Sequence, residues 1–175
     1  MQRTEAGGSV FFDVTGGIGN YNLNAEVMVQ ELEKRKAYRF RYRVINEIGP
    51  SEWSPESFLT PAVKPPTPPQ PIKVSSSESE IVLSLGRSPD DGGSFIEDYE
   101  LEIDSSLVEA NFAKLLTYDY ATDGFSFTVA ANDVNNPLVA GTFYRFRFRS
   151  RNSLGFSDYS QILRVGLGSL PSQPT

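Results

Sequence analysis

An all-β chain of antiparallel sheets packed face to face is what this sequence predicts, and three observations predict it. Short alternating or apolar runs rich in β-branched and aromatic residues recur through the chain, and clusters of turn formers separate them. No segment sustains a helical period. The 175 residues, 39% hydrophobic and 22% charged with 14 Gly and 12 Pro, suffice for one large domain or two small ones.

Taken in order, the predicted strands of the later part of the chain are Ile72 to Ser75, Ile81 to Leu85, Tyr99 to Ile103, Leu115 to Tyr120, Phe125 to Val129, Phe143 to Arg149 and Ile162 to Val165. In Tyr99 to Ile103, for example, Tyr99, Leu101 and Ile103 alternate with Glu100 and Glu102, which sends the apolar set to one face. Ser88-Pro-Asp-Asp-Gly-Gly93, Thr122-Asp-Gly124 and Asn132-Asp-Val-Asn-Asn-Pro137 read as turns. Ser105 to Ala113 admits one helical turn, because Leu107, Val108, Ala110 and Phe112 fit neither period. About seven short strands at this spacing argue for a β-sandwich.

The chain also repeats itself. Tyr38-Arg-Phe-Arg-Tyr-Arg43 returns as Tyr144-Arg-Phe-Arg-Phe-Arg149, 106 residues later, and the same offset aligns Leu32 with Leu138, Asn46 with Asn152, Gly49 with Gly155, Ser51 with Ser157 and Ser54 with Ser160. Read outward, Phe12-Asp13 faces Tyr118-Asp119 and Tyr21-Asn-Leu23 faces Phe127-Thr-Val129. One complete unit therefore runs over 66–168, and residues 1–62 form the C-terminal half of another, with nothing to match the region up to Lys114. The proline run over 63–71 joins the two in extended polyproline geometry, and residues 169–175 read as a second linker, toward a further repeat.

The spacing Leu32-x5-Tyr38-x-Phe40-Arg41-x-Arg43-x2-Asn46-x2-Gly49-x-Ser51-x2-Ser54, and its copy from Leu138 to Ser160, resembles the fibronectin type III repeat family. Pro68-Pro-Gln-Pro71, Ile81 to Leu85 and Ile96-x2-Tyr99 fit that family's strands A, B and C. The resemblance implies an immunoglobulin-like antiparallel β-sandwich, with Leu32 and Tyr38, and again Leu138 and Tyr144, forming its tyrosine corner. On that alignment the half unit keeps strands C', E, F and G and lacks A, B and C. Leu85 departs from the family in standing where a core Trp is usual. Pro50-Ser-Glu-Trp-Ser54 and Phe156-Ser-Asp-Tyr-Ser160 are similar to the Trp-Ser-x-Trp-Ser box of cytokine-receptor domains of this family, in which aromatics interleave with arginines.

These residues define a candidate interaction face. Period two sends Tyr38, Phe40, Tyr42 and Val44 inward and Arg39, Arg41 and Arg43 outward, and Arg145, Arg147 and Arg149 repeat the pattern. With strand C beside strand F, as in the family, Glu100, Glu102 and Asp104 meet the second set in a solvated ladder that fixes register. The first set is left unpaired unless a partner brings carboxylates, and Trp53 and Tyr159 stack on the guanidinium groups.

Chemistry is narrowly bounded. With no Cys and no His, Ser-His and Cys-His nucleophiles, disulfides and thiolate or imidazole metal sites are excluded. The acids form no convergent pair in any sequence window, so no catalytic residue, cofactor or metal is assigned and the chain is expected not to be an enzyme. Asp90-Asp-Gly-Gly93 lacks the alternating oxygen ligands of a calcium loop, and Gly16-Gly-Ile-Gly19 reads as a hairpin turn rather than a phosphate cradle. A net charge of −6 opposes nucleic-acid binding. No run reaches the roughly 20 apolar residues of a membrane span, and Met1 to Glu5 lack a signal peptide's basic and apolar segments. There is no Arg-Gly-Asp tripeptide and no N-glycosylation sequon. The expected partners are proteins, among them copies of this chain that complete the half repeat.

As the family resemblance implies, the expected role is a spacer and protein-protein interaction module of a tandem array, in a cell-surface or extracellular adhesive protein. Alternatives are an intracellular cytoskeletal or ciliary scaffold, a self-assembling filament subunit and an accessory module of a larger surface enzyme.

Overall fold

The computed structural model describes residues 1–16, 23–24, 26–105, 111–135 and 137–168. Parts of the predicted Gly16 to Gly19 turn, of Tyr21 to Leu23 and of Ser105 to Ala113, and the linker over 169–175, lie outside the described residues. The chain forms two compact units, Met1–Val63 and Lys64–Thr175.

In unit 1, β1 (Gln2–Glu5), β2 (Phe12–Asp13), β3 (Tyr38–Arg41) and β4 (Ser57–Leu59) make one antiparallel sheet in the order β2-β1-β3-β4. Unit 2 has two sheets. The first holds β5 (Ile72–Ser76), β6 (Glu80–Ser84) and, beyond two further strands and a helical turn, β9 (Ser126–Ala130), in the order β5-β6-β9. The second is built on β7 (Asp98–Asp104), β8 (Ala113–Lys114) and β10 (Phe143–Asn152), in the order β10-β7-β8. Its other edge is formed by β11 (Gly155–Phe156) and β12 (Leu163–Gly166), both paired to β10. A single helical turn, α1 (Tyr120–Asp123), is capped by Asp119, whose side chain accepts from the Ala121 N–H.

The core of unit 2 follows from alternation. Ile81 and Leu83 of β6 and Phe127 and Val129 of β9 face Tyr99, Leu101 and Ile103 of β7 and Tyr144, Phe146 and Phe148 of β10, all buried. Leu85 is buried where the family has Trp. Its backbone N–H pairs with the Phe125 carbonyl, and Phe125 joins Tyr99 and Tyr120 in an aromatic cluster with centroids 4.7–5.4 Å apart. The predicted strand over Leu115 to Tyr120 is absent. Leu115 and Tyr118 both reach the core at a spacing of three, through a turn closed by the Tyr118 N–H on the Leu115 carbonyl, and a strand would have put them on opposite faces.

The proline run is docked rather than free. Pro65, Pro68 and Pro71 are buried, the one-in-three spacing that a polyproline helix places on a single face. Ser88 Oγ donates to the Pro66 carbonyl at 2.9 Å, and a Cβ at Gly86 would lie 2.8 Å from Pro69 Cγ. Gln70 Nε2 donates to the Ile162 carbonyl at 2.7 Å, and Ser76 Oγ to the Gly166 carbonyl at 2.6 Å.

Unit 1 corrects the expected strand inventory. β1 pairs with β3 through Gln2↔Arg41 and Thr4↔Arg39, on the side of β3 that β7 takes on β10 through Glu102↔Arg147 and Asp104↔Arg145. A strand therefore stands in the strand C position, and it escaped notice because Gln-Arg-Thr-Glu has no apolar residue to signal it. β2 then corresponds to β8, since Asp13 pairs with Gln2 as Lys114 pairs with Glu102, so Phe12-Asp13 does not match Tyr118-Asp119. Residues 23–24 and 26–37 contain no strand. Their expected counterpart, β9, is laddered to β6, and no equivalent of β6 stands in unit 1 among the described residues.

Candidate interaction face

The corner and the turn that hold the arginine strand are built alike in both units. The Tyr38 hydroxyl accepts from the Glu33 N–H at 3.1 Å and the Tyr144 hydroxyl from the Val139 N–H at 2.6 Å; Leu138 is buried and Leu32 half-buried. The turn before each tyrosine needs a positive φ, supplied by Gly141 (82°) in unit 2 and by Arg35 (65°) in unit 1. After the arginine strand, the Asn46 side chain accepts from Ile48 and Gly49, and the Asn152 side chain from Leu154. Each facing serine then donates its backbone N–H to the strand, and its hydroxyl takes the place of its carbonyl as acceptor of the return bond. Ser54 Oγ accepts from the Tyr42 N–H and Ser51 Oγ from Val44, as Ser160 does from Phe148 and Ser157 from Ser150.

This framework aims the box aromatics back across the arginines. In unit 2 the guanidinium of Arg147 lies 4.1 Å from the Phe112 ring centroid and 3.7 Å from that of Tyr159. Arg149 lies 4.4 Å from Tyr159 and 4.0 Å from Phe156. Arg145 is 5.5 Å from Phe112. Rings and guanidinium groups thus alternate along the outer face of β10, each contact contributing about 0.5–1 kcal/mol where exposed.

Beneath that layer lie the carboxylates. Arg145 pairs with Asp104, Arg147 with Glu102 and Arg149 with Glu100. The expected register is present, but the ladder is not solvated: Glu100, Glu102 and Asp104 are buried, because stacked rings roof the strand. Each carboxylate also has a second donor, Lys114 for Glu100, the Tyr159 hydroxyl at 2.6 Å for Glu102 and the Asn111 N–H for Asp104. Burial, and then donation to Glu102, push the Tyr159 hydroxyl up to about 12. Burial also raises Tyr99 and Tyr118 above the ordinary tyrosine value.

Unit 1 repeats the stack with other acceptors. Arg41 lies 3.8 Å from the Phe11 centroid and 4.4 Å from Trp53, and Arg43 lies 4.5 Å from Trp53. The expectation of three unpaired arginines is corrected. Arg39 pairs with Glu56 at 2.9 Å and donates to the Gly8 carbonyl, while Arg41 donates to Gln2 Oε1 at 3.0 Å. Gln2 and Thr4 stand where Glu102 and Asp104 stand in unit 2, and Pro50 where Phe156 stands. Arg43 alone keeps the predicted condition, exposed and with no ion pair among the described residues. Phe11 and Phe112 were missed in the sequence because they lie 101 residues apart, outside the register of 106.

The inner faces differ most. Tyr42, Val44 and Leu59 are 61%, 68% and 48% exposed, whereas their counterparts Phe148, Ser150 and Val165 are 0%, 0% and 3% exposed. Among the described residues no acidic group cluster suits a metal ion, and no helix is long and apolar enough to cross a membrane. Asp90 and Asp91 accept from Gly92 and Gly93 within a tight turn.

Comparison with known proteins agrees with this architecture. No family model matches the chain. It is 31% identical over 145 residues to fibronectin type-III domain-containing protein 3a of Gallus gallus, which covers 80% of this chain and 11% of that protein. It is 29% identical over 152 residues to Titin of Drosophila melanogaster, covering 84% of this chain and 1% of that one. The chain thus spans about a tenth or less of these relatives. Among solved structures, the twitchin kinase region of C. elegans superposes with a TM-score of 0.50 at 23% identity, over 60% of this chain and 17% of that one, a likeness of fold.

Proposed function

Because the chain belongs to the fibronectin type III repeat family, we propose that it is a non-catalytic stretch of a tandem array, in which unit 2 is a complete spacer repeat and unit 1 the C-terminal half of another, open for contact with a protein partner. The carrying observation is the contrast between exposed Tyr42, Val44 and Leu59 and their buried counterparts. On that face of the unit 1 sheet Tyr38 and Phe40 are buried while Tyr42, Val44 and Leu59 are not, and exposed apolar patches of this kind mark interaction sites. The setting we favour is a cell-surface or extracellular adhesive array. Similarity to Titin of Drosophila melanogaster supports an intracellular scaffold as a second reading.

Amide hydrogen exchange at low and high protein concentration tests the proposal, with residues 66–168 as internal reference. Protection in residues 9–61 that grows with concentration identifies copies of the chain as the cover. Fast exchange at both concentrations identifies strands supplied from elsewhere, and slow exchange at both sinks the half-repeat reading.

A further inference from the structure

The first sheet of unit 2 ends on two unlike edges. β5 is guarded: Pro71 precedes it, Lys73 is exposed, its register with β6 shifts between Lys73 and Ser75, and Ser76 ties it to the Gly166 carbonyl. β9 carries no such guard. Ser126-Phe-Thr-Val-Ala130 holds no charge, no proline and no glycine, and it pairs with β6 from end to end without a shift.

The hydrogen bonds at its two ends fix which way its backbone points. The Leu85 N–H donates to the Phe125 carbonyl and the Ala131 N–H to the Ser79 carbonyl, so the odd-numbered residues of β9 face β6. By alternation the N–H and C=O of Ser126 and Thr128 point away from β6, and they have no hydrogen-bond partner among the described residues. Both side chains are exposed on the outer face, whereas Phe127 and Val129 face the core. The segment crossing between the sheets brings Tyr118 against Phe127, with ring centroids 5.2 Å apart, and leaves this backbone edge unpaired.

Charge around the edge selects its occupant. Asp119 and Asp123 stand before β9 and Asp133 after it, and Glu80 pairs with Ala130 on the outer face of β6. Asp119, Asp123 and Glu80 have no ion pair among the described residues; against them stands Arg87, 5.4 Å from the Phe125 ring centroid. We propose that β9 is a docking edge for an extended basic strand of a partner protein, paired through the backbone of Ser126 and Thr128 with its lysine or arginine side chains set against these acids. Main-chain pairing supplies affinity in this mode of recognition, and side chains supply specificity. A second copy of the chain, with its net charge of −6, would bring like charge to the edge. The edge belongs to unit 2, so the inference stands apart from the reading of unit 1 as an open contact module.

The test titrates the whole chain into a dye-labelled, end-capped peptide, Lys-Val-Lys-Val-Lys-Val-Lys, and follows anisotropy. One control peptide has every backbone nitrogen methylated, which keeps the charge and removes the donors; another has Glu in place of each Lys. Saturable binding of the first peptide alone is expected, weakened about tenfold or more by Thr128→Lys, which sets like charge on the edge. New exchange protection is expected at the Ser126 and Thr128 amides. Absence of saturable binding, or equal binding of either control peptide, overturns the proposal. Thr128 is exposed, so its variant leaves the fold intact, which unchanged exchange at the Phe127 and Val129 amides verifies. Glu80→Lys, on the neighbouring strand, is a second variant that weakens binding in the same direction, and binding indifferent to both variants overturns the proposal. A peptide-free chain that dimerises in sedimentation, with protection at Ser126 and Thr128 growing with concentration, assigns the edge to a second copy and overturns the partner-protein source.

Discussion

Arg147 makes two kinds of contact at once: its guanidinium neutralises buried Glu102 and fills the gap between the Phe112 and Tyr159 rings. Truncation leaves Glu102 buried without its cation, the circumstance in which breaking a pair costs most. Arg147→Ala is therefore expected to destabilise unit 2 by about 3 kcal/mol or more in urea denaturation, with Arg147→Lys in between, because an ammonium keeps the charge but not the planar stack. Tyr159 gives the same cluster a pH dependence. Its folded-state pKa of about 12 stands above the ordinary value of 10, so its contribution is whole below pH 10 and is lost as pH rises through 12. Tyr99 and Tyr118 slope in the same direction, so the measurement is a difference. Between pH 10 and pH 12 the unfolding free energy of Tyr159→Phe is expected to fall less steeply than that of the parent. Equal slopes would mean that the Tyr159 hydroxyl is not held by Glu102.

At the scale of elements, period-two alternation made β6, β7 and β9 readable to within one residue at each end and β10 to within three, because buried strands announce themselves by apolar spacing. Where a neighbour rather than a residue's own character fixes the conformation, the sequence is silent. β1 is polar throughout and becomes a strand by pairing with β3. Leu115 to Tyr120 has strand-like composition but turns, since both of its core residues must face one way. The candidate interaction face was legible in its arginines and box aromatics, whereas Phe11, Phe112 and the burial of Glu100, Glu102 and Asp104 were not, because they depend on which loop folds back over the sheet. The proline run was legible as extended geometry but not as a docked element. Its close approach to Gly86 makes a sharp expectation: Gly86→Val forces the Pro69 ring away and destabilises unit 2 by about 1–3 kcal/mol, read as a lower denaturation midpoint. An unchanged midpoint would show that the run detaches without cost.

Across the whole molecule, the two units differ in how completely they close. Unit 2 buries both inner sheet faces, whereas the described residues of unit 1 form one sheet with large apolar side chains in water. Their unfolding is expected to separate, and the single tryptophan, Trp53, reports on unit 1 alone. In urea the tryptophan fluorescence should change at a lower concentration than the far-ultraviolet circular dichroism, which the larger unit dominates. Coincident transitions would mean that the units stabilise each other as one cooperative body.

The ties from Gln70 to Ile162 and from Ser76 to Gly166 advance in the same chain direction on both sides, which makes the opening segment of unit 2 and its closing strand β12 parallel neighbours. A tensile load drawn through the backbone from Lys64 to Gly168 therefore pulls these segments lengthwise in opposite senses. The ties are strained together in shear and cannot peel open one after another, so resistance to stretch is greatest along the axis on which a repeat in a row is loaded.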